Sequence, residues 1–123
     1  MDNAEFVDAL RLYVRDAGIE GVISRLKNPP GRSVSPKMRN LSEWYNSLSE
    51  ENTSKVNTIM ELVAHDVLFG VFAVLDGVRI IDKEKGRFEL TYKTQEDTFM
   101  LNDPSEIGLH ELLNSSNWKL DHA

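Results

Sequence analysis

The chain has 123 residues, of which 41% are apolar and 28% are charged, and it contains no cysteine. This length predicts a single compact domain, and the lack of cysteine excludes disulfide bonds, thiolate metal sites and a cysteine nucleophile. The net charge of −6 disfavours binding to nucleic acid. No segment has the roughly 18 consecutive apolar residues of a membrane helix. We therefore expect a cytoplasmic protein without nucleic-acid or membrane contacts.

Two helices are predicted at the start of the chain. Apolar residues between positions 3 and 17 follow helical spacing behind Asp2 or Asn3 as the cap, and Gly18 is expected to end this helix. A second, short helix is predicted over residues 19–26. Two adjacent prolines must end it, because proline removes a hydrogen-bond donor from the helix. Residues 28–37 therefore form a predicted loop.

A long central helix is predicted to begin after Ser49. Before it, Asn40 with Glu43 three residues later resembles a capping box and opens a short helix. Ser49 is followed by two glutamates, and both a hydroxyl cap and acids in the first turn stabilise the positive end of a helix. Apolar residues at helical spacing then predict a face that enters the core. These residues are Val56, Ile59, Met60, Val63, Val67 and Val71.

The segment 67–75 admits two interpretations. It is apolar on all sides except for Gly70, so as a helix it is expected to be buried on every side. As a strand it would turn at Asp76 and Gly77 into residues 78–82, since Asp-Gly between apolar runs is a hairpin signal. We favour the helix, because the helical spacing continues without a breaker and Gly77 is suited to the left-handed cap position.

Beyond Gly77 the apolar spacing changes to two residues, which predicts strands. Residues 78–82, 88–92 and 99–101 form a predicted three-stranded antiparallel meander that covers the long helix, and residues 103–106 start a C-terminal helix. The fold class predicted is α+β: a mostly helical single domain over residues 1–114, with residues 115–123 as a tail that frays or docks through Trp118 and Leu120. The side chains expected to cover the helix are Phe88, Leu90, Tyr92, Phe99 and Leu101.

The most enzyme-like cluster is Glu61, His65 and Asp66 on the long helix. Glu61 and His65 are four residues apart and share a face, which suits metal binding or proton relay, but Asp66 lies about 140° around the axis from Glu61. The segment 110–114, His-Glu-Leu-Leu-Asn, lacks the second histidine of a zinc-protease motif. We therefore predict no metal, no cofactor and no catalytic residue.

The most informative pattern is a basic stretch, which has five bases and no acid between residues 21 and 42. Residues 28–39, the predicted basic loop, end near two aromatic rings, and this grouping suits clasping an anion and stacking on a ring. The alternative is a solvated surface whose bases satisfy helix ends or pair with the protein's own acids. The candidate ligand- or partner-binding residues are Arg32, Lys37, Arg39, Trp44 and Tyr45.

In size, acidity and lack of cysteine the chain is similar to small bacterial proteins that act by binding, such as toxin-neutralising immunity proteins. No motif carries this similarity, and it transfers no residues. The leading prediction is a non-enzymatic protein-binding module (adaptor, inhibitor or immunity-type) whose acidic surface steers a basic partner protein. The alternative is a small-molecule or anion-binding regulator that uses residues 28–39, and the third interpretation is an enzyme around Glu61 and His65. The sequence leaves the oligomeric state open.

Overall fold

The computed structural model describes residues 1–115 and shows a mostly helical α+β fold with a long central helix and a C-terminal helix, as predicted. Of the predicted tail, Ser115 is the last residue of the C-terminal helix, and Trp118 and Leu120 lie outside the described residues. The elements in chain order are α1 (Asn3–Leu10), a π-helical segment (Arg11–Asp16), α2 (Ala17–Lys27), α3 (Pro36–Asn46), α4 (Glu50–Leu75), β1 (Thr91–Lys93), β2 (Thr98–Met100) and α5 (Leu109–Ser115).

The chain forms one continuous helical stretch from Asn3 to Lys27. Asp2 begins it, because the Asp2 carboxylate accepts a hydrogen bond from the backbone N–H of Glu5 at 2.8 Å. The prediction that Gly18 ends the first helix is wrong. Gly18 lacks the positive φ with which glycine ends a helix, and the π-helical segment joins α1 directly to α2.

α3 begins one turn before Asn40, which was predicted to be its cap. The side chain of Ser35 accepts a hydrogen bond from a backbone N–H three residues later at 3.2 Å. Pro36 occupies the first helical position, where its missing N–H is not needed. The predicted boundary of the basic loop is therefore wrong, since Lys37 and Arg39 belong to the first turns of α3.

α4 has the predicted ends. Ser49 caps its first turn, and its side chain accepts a backbone N–H at 3.2 Å. At the other end Gly77 has a φ of 79°, and the N–H groups of Gly77 and Val78 bond to the carbonyls of Val74 and Ala73 at 3.1 and 3.0 Å. These two bonds form the Schellman motif that ends a helix at a left-handed glycine. The favoured helix is thus confirmed over the strand.

The sheet has two strands, not the predicted three. β1 and β2 pair antiparallel with Tyr92 opposite Phe99, whereas residues 78–82 form no strand. This segment is held at the end of α4, because the N–H groups of Val78 and Arg79 both donate to the Ala73 carbonyl. Of the predicted apolar face, Leu101 is buried and Leu90 and Phe99 are half-buried, whereas Phe88 and Tyr92 are 49% and 42% exposed.

The hydrophobic core lies where α4 packs against α1 and α5. The ring of Phe72 is fully buried there, and its centroid lies 6.1 Å from that of Phe6 on α1. The buried residues of this core are Val7, Leu68, Phe72, Leu109 and Leu113.

α5 begins at Leu109, later than predicted. Residues 103–106 form a turn in which the Asp103 carboxylate accepts hydrogen bonds from the N–H and the hydroxyl of Ser105. The first turn of α5 is bonded instead by Asp76, whose Oδ2 accepts the backbone N–H of His110 at 2.9 Å. The end of α4 therefore positions the start of α5.

Candidate functional site

α4 carries apolar side chains on two faces, and only one of them is buried. Leu68 and Phe72 lie in the core. Four other apolar side chains follow one another at intervals of four residues and are exposed, and we call them the α4 face. Their exposed fractions are 59% for Ile59, 58% for Val63, 62% for Val67 and 49% for Val71.

Of the six residues predicted to enter the core, Val56 and Met60 are half-buried, whereas the four residues of the α4 face are exposed. The prediction that residues 67–75 are buried on every side is wrong, since Val67 and Val71 are exposed. Successive helix residues are about 100° apart around the axis. Leu68 and Phe72 occupy the side that α1 and α5 cover, so Val67 and Val71 lie on a side that no described element covers. A row of four half-exposed β-branched residues is larger than the scattered apolar side chains of an ordinary surface.

A wide, shallow groove of about 520 Å³ lies on the part of the α4 face from Val63 to Val71. Arg79 reaches back across α4 at Gly70, since a Cβ placed on Gly70 would lie 2.5 Å from the Arg79 Nη1. A side chain at position 70 would therefore displace the end of the flexible Arg79 side chain. The residues that line this groove, which we call the α4 groove, are Val63, Asp66, Val67, Gly70, Val71, Val74 and Arg79.

The α4 groove contains one acid and one base that do not pair with each other. Within residues 1–115, neither the Asp66 carboxylate nor the Arg79 guanidinium has an ion pair or a side-chain hydrogen bond. Both side chains lie beside the exposed valines and are themselves exposed. Two opposite charges are thus presented, unpaired, on an apolar surface.

The segment after α4 extends this apolar surface. Val78, Ile80 and Ile81 are 62%, 75% and 66% exposed. A second concavity of about 240 Å³ lies between this segment and Phe88, and it shares Arg79 with the α4 groove. The exposed apolar surface therefore continues past the end of the helix.

In the part of the chain that the structure describes, α4 is the one helix long and apolar enough to cross a membrane, and 28% of its apolar stretch is buried. Such a helix is weak evidence for a membrane span, because helices of soluble proteins also reach this length and hydropathy. α4 carries Glu61, His65 and Asp66 near its middle. Ionisable residues in the hydrocarbon region are rare and costly.

The bases predicted for the basic site lie on two neighbouring segments of the chain. Arg32 lies in the loop, Lys37 and Arg39 lie on α3, and all three are exposed. Among residues 1–115, the Arg39 guanidinium donates only to the Val34 carbonyl, at 3.5 Å. The end of α2 is joined to α3 by the Ser42 hydroxyl and the Asn46 amide, which both donate to the Leu26 carbonyl. The three bases take no part in this contact.

The two aromatic rings of the predicted basic site have different environments. Trp44 is 53% exposed, whereas Tyr45 is buried and its hydroxyl donates to the Asn57 Oδ1 at 2.8 Å. Trp44 is thus accessible to a ligand together with the three bases. Tyr45 joins α3 to α4.

His65, from the enzyme-like cluster, is buried with both ring nitrogens bonded. The Arg15 Nη1 lies 3.0 Å from Nδ1, and the Asn114 Oδ1 lies 2.8 Å from Nε2. Because a guanidinium only donates, Nδ1 accepts and the Nε2–H donates to Asn114. Glu61 is half-buried and Asp66 points into the α4 groove, so the cluster forms no open site.

A second histidine forms a close pair at the end of α4. The His110 Nδ1 lies 2.5 Å from the Asp76 Oδ2, and the Phe69 ring meets the imidazole edge-on at 5.6 Å between centroids. Both side chains of the pair are largely buried. Among residues 1–115, no three His, Asp or Glu side chains are grouped so as to hold a metal ion.

No family model matches the chain, and neither a curated protein nor a solved structure matches it.

Sequence reasoning missed the α4 face as a surface, and it missed Arg79 entirely. A signal was present, because α4 is apolar on more sides than one layer of partner helices can cover. Counting apolar residues by spacing identifies a helix, but it does not say which of two apolar faces the rest of the chain covers.

Proposed function

We propose that this protein is a non-enzymatic binding module that docks a polypeptide on the α4 face. The observation that carries the proposal is the row of four β-branched side chains, 49–62% exposed, beside a groove of about 520 Å³. Amphipathic helices are commonly recognised by such apolar surfaces, through side chains spaced at three and four residues. The proposal keeps the predicted binding function and places it on a different surface.

The chemistry of the α4 face suits a polypeptide better than a substrate. Valine and isoleucine have few rotamers in a helix, so ordering them in an interface costs little side-chain entropy. Asp66 and Arg79 supply the few polar groups that fix orientation at an apolar interface. A reaction would need converging acid, base or metal groups, and His65 is committed to Arg15 and Asn114.

We also place the protein in the cytoplasm and assign a steering role to its charge. Outside residues 21–42 the chain carries 9 bases and 20 acids, so a basic polypeptide is attracted over a distance of about 10 Å at 0.1 M salt. An adaptor, an inhibitor and an immunity-type protein all fit this description. In each case the partner's association rate falls as salt is added.

The test is site-specific photo-crosslinking in cells. A photoreactive residue in place of Val63 is expected to crosslink to a polypeptide, and the additional change Val67→Glu is expected to abolish the product. The matched control carries the photoreactive residue at Ile107, which is 60% exposed and lies outside the α4 face. A yield from position 63 no greater than that from position 107 would rule out the proposed docking surface.

A second candidate function is the anion-binding regulator. It is favoured by three exposed bases, Arg32, Lys37 and Arg39, which have no carboxylate partner among residues 1–115. Inorganic pyrophosphate serves as the probe. Pyrophosphate is expected to raise the melting temperature of the native chain but not that of the triple alanine variant, and equal shifts in both would exclude this site.

A further inference from the structure

We propose that the polypeptide on the α4 face is a second copy of this chain. The two α4 helices cross antiparallel about a two-fold axis that passes close to Val67, so the same surface of each copy forms the interface. This inference rests on the proposed function, since it names the partner of the same face. It replaces the basic partner with a chain of net charge −6, so self-association is expected to strengthen as salt is added.

The surface area of the chain supports an uncovered interface. The chain exposes 9040 Å², whereas a compact monomer of 14.0 kDa exposes about 6,700 Å². Subtracting roughly 1,300 Å², the largest area that the undescribed residues could contribute, still leaves an excess of about 1,000 Å². A standard interface buries about 800 Å² on each partner. The excess is therefore of the size that one stable interface removes from solvent.

The charges of the α4 groove are complementary to a second copy of the same groove. Each copy presents Asp66 and, beside Gly70 one turn further along α4, the Arg79 guanidinium on the same flank of the exposed valines. Neither charge has a partner within the described residues of its own chain. A two-fold axis near Val67 reverses the direction of one helix relative to the other. It therefore brings the Asp66 carboxylate of each copy towards the Arg79 guanidinium of the other copy.

The spacing of the α4 face also suits helix-on-helix packing. Ile59, Val63, Val67 and Val71 form one ridge along every fourth residue, and this ridge is about 18 Å long. Ridges of this kind interdigitate when two helices cross at about −50°. Self-complementary contact around one axis closes into a dimer and leaves no surface free for further copies.

A lipid surface is the less favoured occupant. The α4 groove contains a carboxylate and a guanidinium among its apolar side chains, and each is costly in hydrocarbon. The same two charges pair with each other across a protein dimer. The observations on the face thus favour a polypeptide of the same chain over a bilayer.

The first experiment measures the mass of the full chain in solution by light scattering during size-exclusion chromatography. The native chain and the control Ile107→Glu are expected at twice 14.0 kDa, and Val67→Glu is expected at 14.0 kDa with an unchanged circular dichroism spectrum. A native chain that stays at 14.0 kDa at every concentration tested would overturn the inference.

The second experiment reverses the two charges and does not depend on the folding of Val67→Glu. D66R places two bases in each groove and R79D places two acids, so each single variant is expected to lose self-association by at least tenfold. An equimolar mixture of the two variants is expected to form a heterodimer, and the double variant D66R/R79D is expected to dimerise again. Failure of the mixture to associate would overturn the two-fold arrangement.

The outcomes separate this inference from the proposed function. A native monomer whose position 63 crosslinks to a different polypeptide would overturn the dimer and leave the docking function standing. A native monomer with no crosslink at position 63 would overturn both. Flotation of the native chain with phosphatidylcholine vesicles, lost in Val67→Glu, would replace the second copy with a lipid surface.

Discussion

Asn102 joins three backbone groups that no regular element satisfies. Its amide nitrogen donates to the carbonyls of Leu75 and Phe88, and its carbonyl oxygen accepts the N–H of Leu90, each at 2.8 Å. The residue is 7% exposed, so water is poorly placed to replace these bonds. Asn102 thereby attaches the strand region to the end of α4.

The change Asn102→Ala is expected to lower the free energy of unfolding by about 2–3 kcal/mol, because it leaves three partly buried backbone groups without the partner they have in the native chain. Urea denaturation measures this loss. Asn40→Ala is the matched control, since Asn40 is exposed on α3 and its side chain makes no hydrogen bond to residues 1–115. This change is expected to alter stability by less than about 0.5 kcal/mol. Equal effects of the two changes would contradict the role given to Asn102.

Asp103 shows how a turn depends on charge. The backbone N–H and then the hydroxyl of Ser105 donate to its carboxylate and lower its pKa below the ordinary value of 3.8, and Arg87 acts in the same direction. Because the pKa is lower in the folded chain, this interaction stabilises the fold above pH 3.8 and is lost as pH falls through the lowered value.

We expect the Asp103 side-chain carbonyl resonance to titrate with a midpoint below 3.8 in NMR spectra. Ser105→Ala removes the hydroxyl donor and keeps the backbone donor, so the midpoint is expected to rise without fully reaching the ordinary value. A native midpoint at or above 3.8 would show that the turn does not form.

Among the secondary-structure elements, two glycines have opposite roles. Gly77 has a φ of 79° and ends α4, whereas Gly18 is helical and has open space where a Cβ would lie. Gly77→Ala is expected to destabilise the fold by about 1–2 kcal/mol, since alanine is strained in the left-handed region. Gly18→Ala is expected to stabilise it by about 0.5–1 kcal/mol. Thermal unfolding of both variants measures the two signs, and a stabilising Gly77→Ala would contradict the Schellman end of α4.

The sequence predicts the end of a helix best where a single residue determines that end by its own side chain or backbone conformation. Ser49 and Gly77 were recognised as the ends of α4 because a hydroxyl cap and a left-handed glycine are local features. Gly18 was misread, since glycine is tolerated inside a helix that its neighbours stabilise. Ser35 was not predicted as a cap, because serine followed by proline is common both in loops and at the start of a helix.

The candidate site was less predictable than the helices because it depends on which elements cover α4. The spacing of Val63, Val67 and Val71 indicated an apolar face, and that face exists. Whether it is buried is decided by residues far away in the chain, chiefly Val7 on α1 and Leu109 on α5, which pack on the opposite side. Sequence periodicity contains no information about that choice.

At the scale of the whole molecule, the chain buries a small core on one side of α4 and leaves the other side apolar and open. Its net charge of −6 keeps such a chain soluble and opposes indiscriminate aggregation. Specific association then requires charges of both signs at the interface. The α4 groove provides them as Asp66 and Arg79.

The thermal stability of the whole molecule is expected to depend on protein concentration. When folding is coupled to dimer formation, mass action stabilises the folded state as concentration rises, and the melting temperature of a dimer of this size increases by about 3 °C for each tenfold increase. Val67→Glu is expected to melt at a temperature independent of concentration, and Ile107→Glu is expected to behave like the native chain. Calorimetry across a hundredfold range of concentration measures the difference, and a constant melting temperature for the native chain would show that the open side of α4 contributes nothing to its stability.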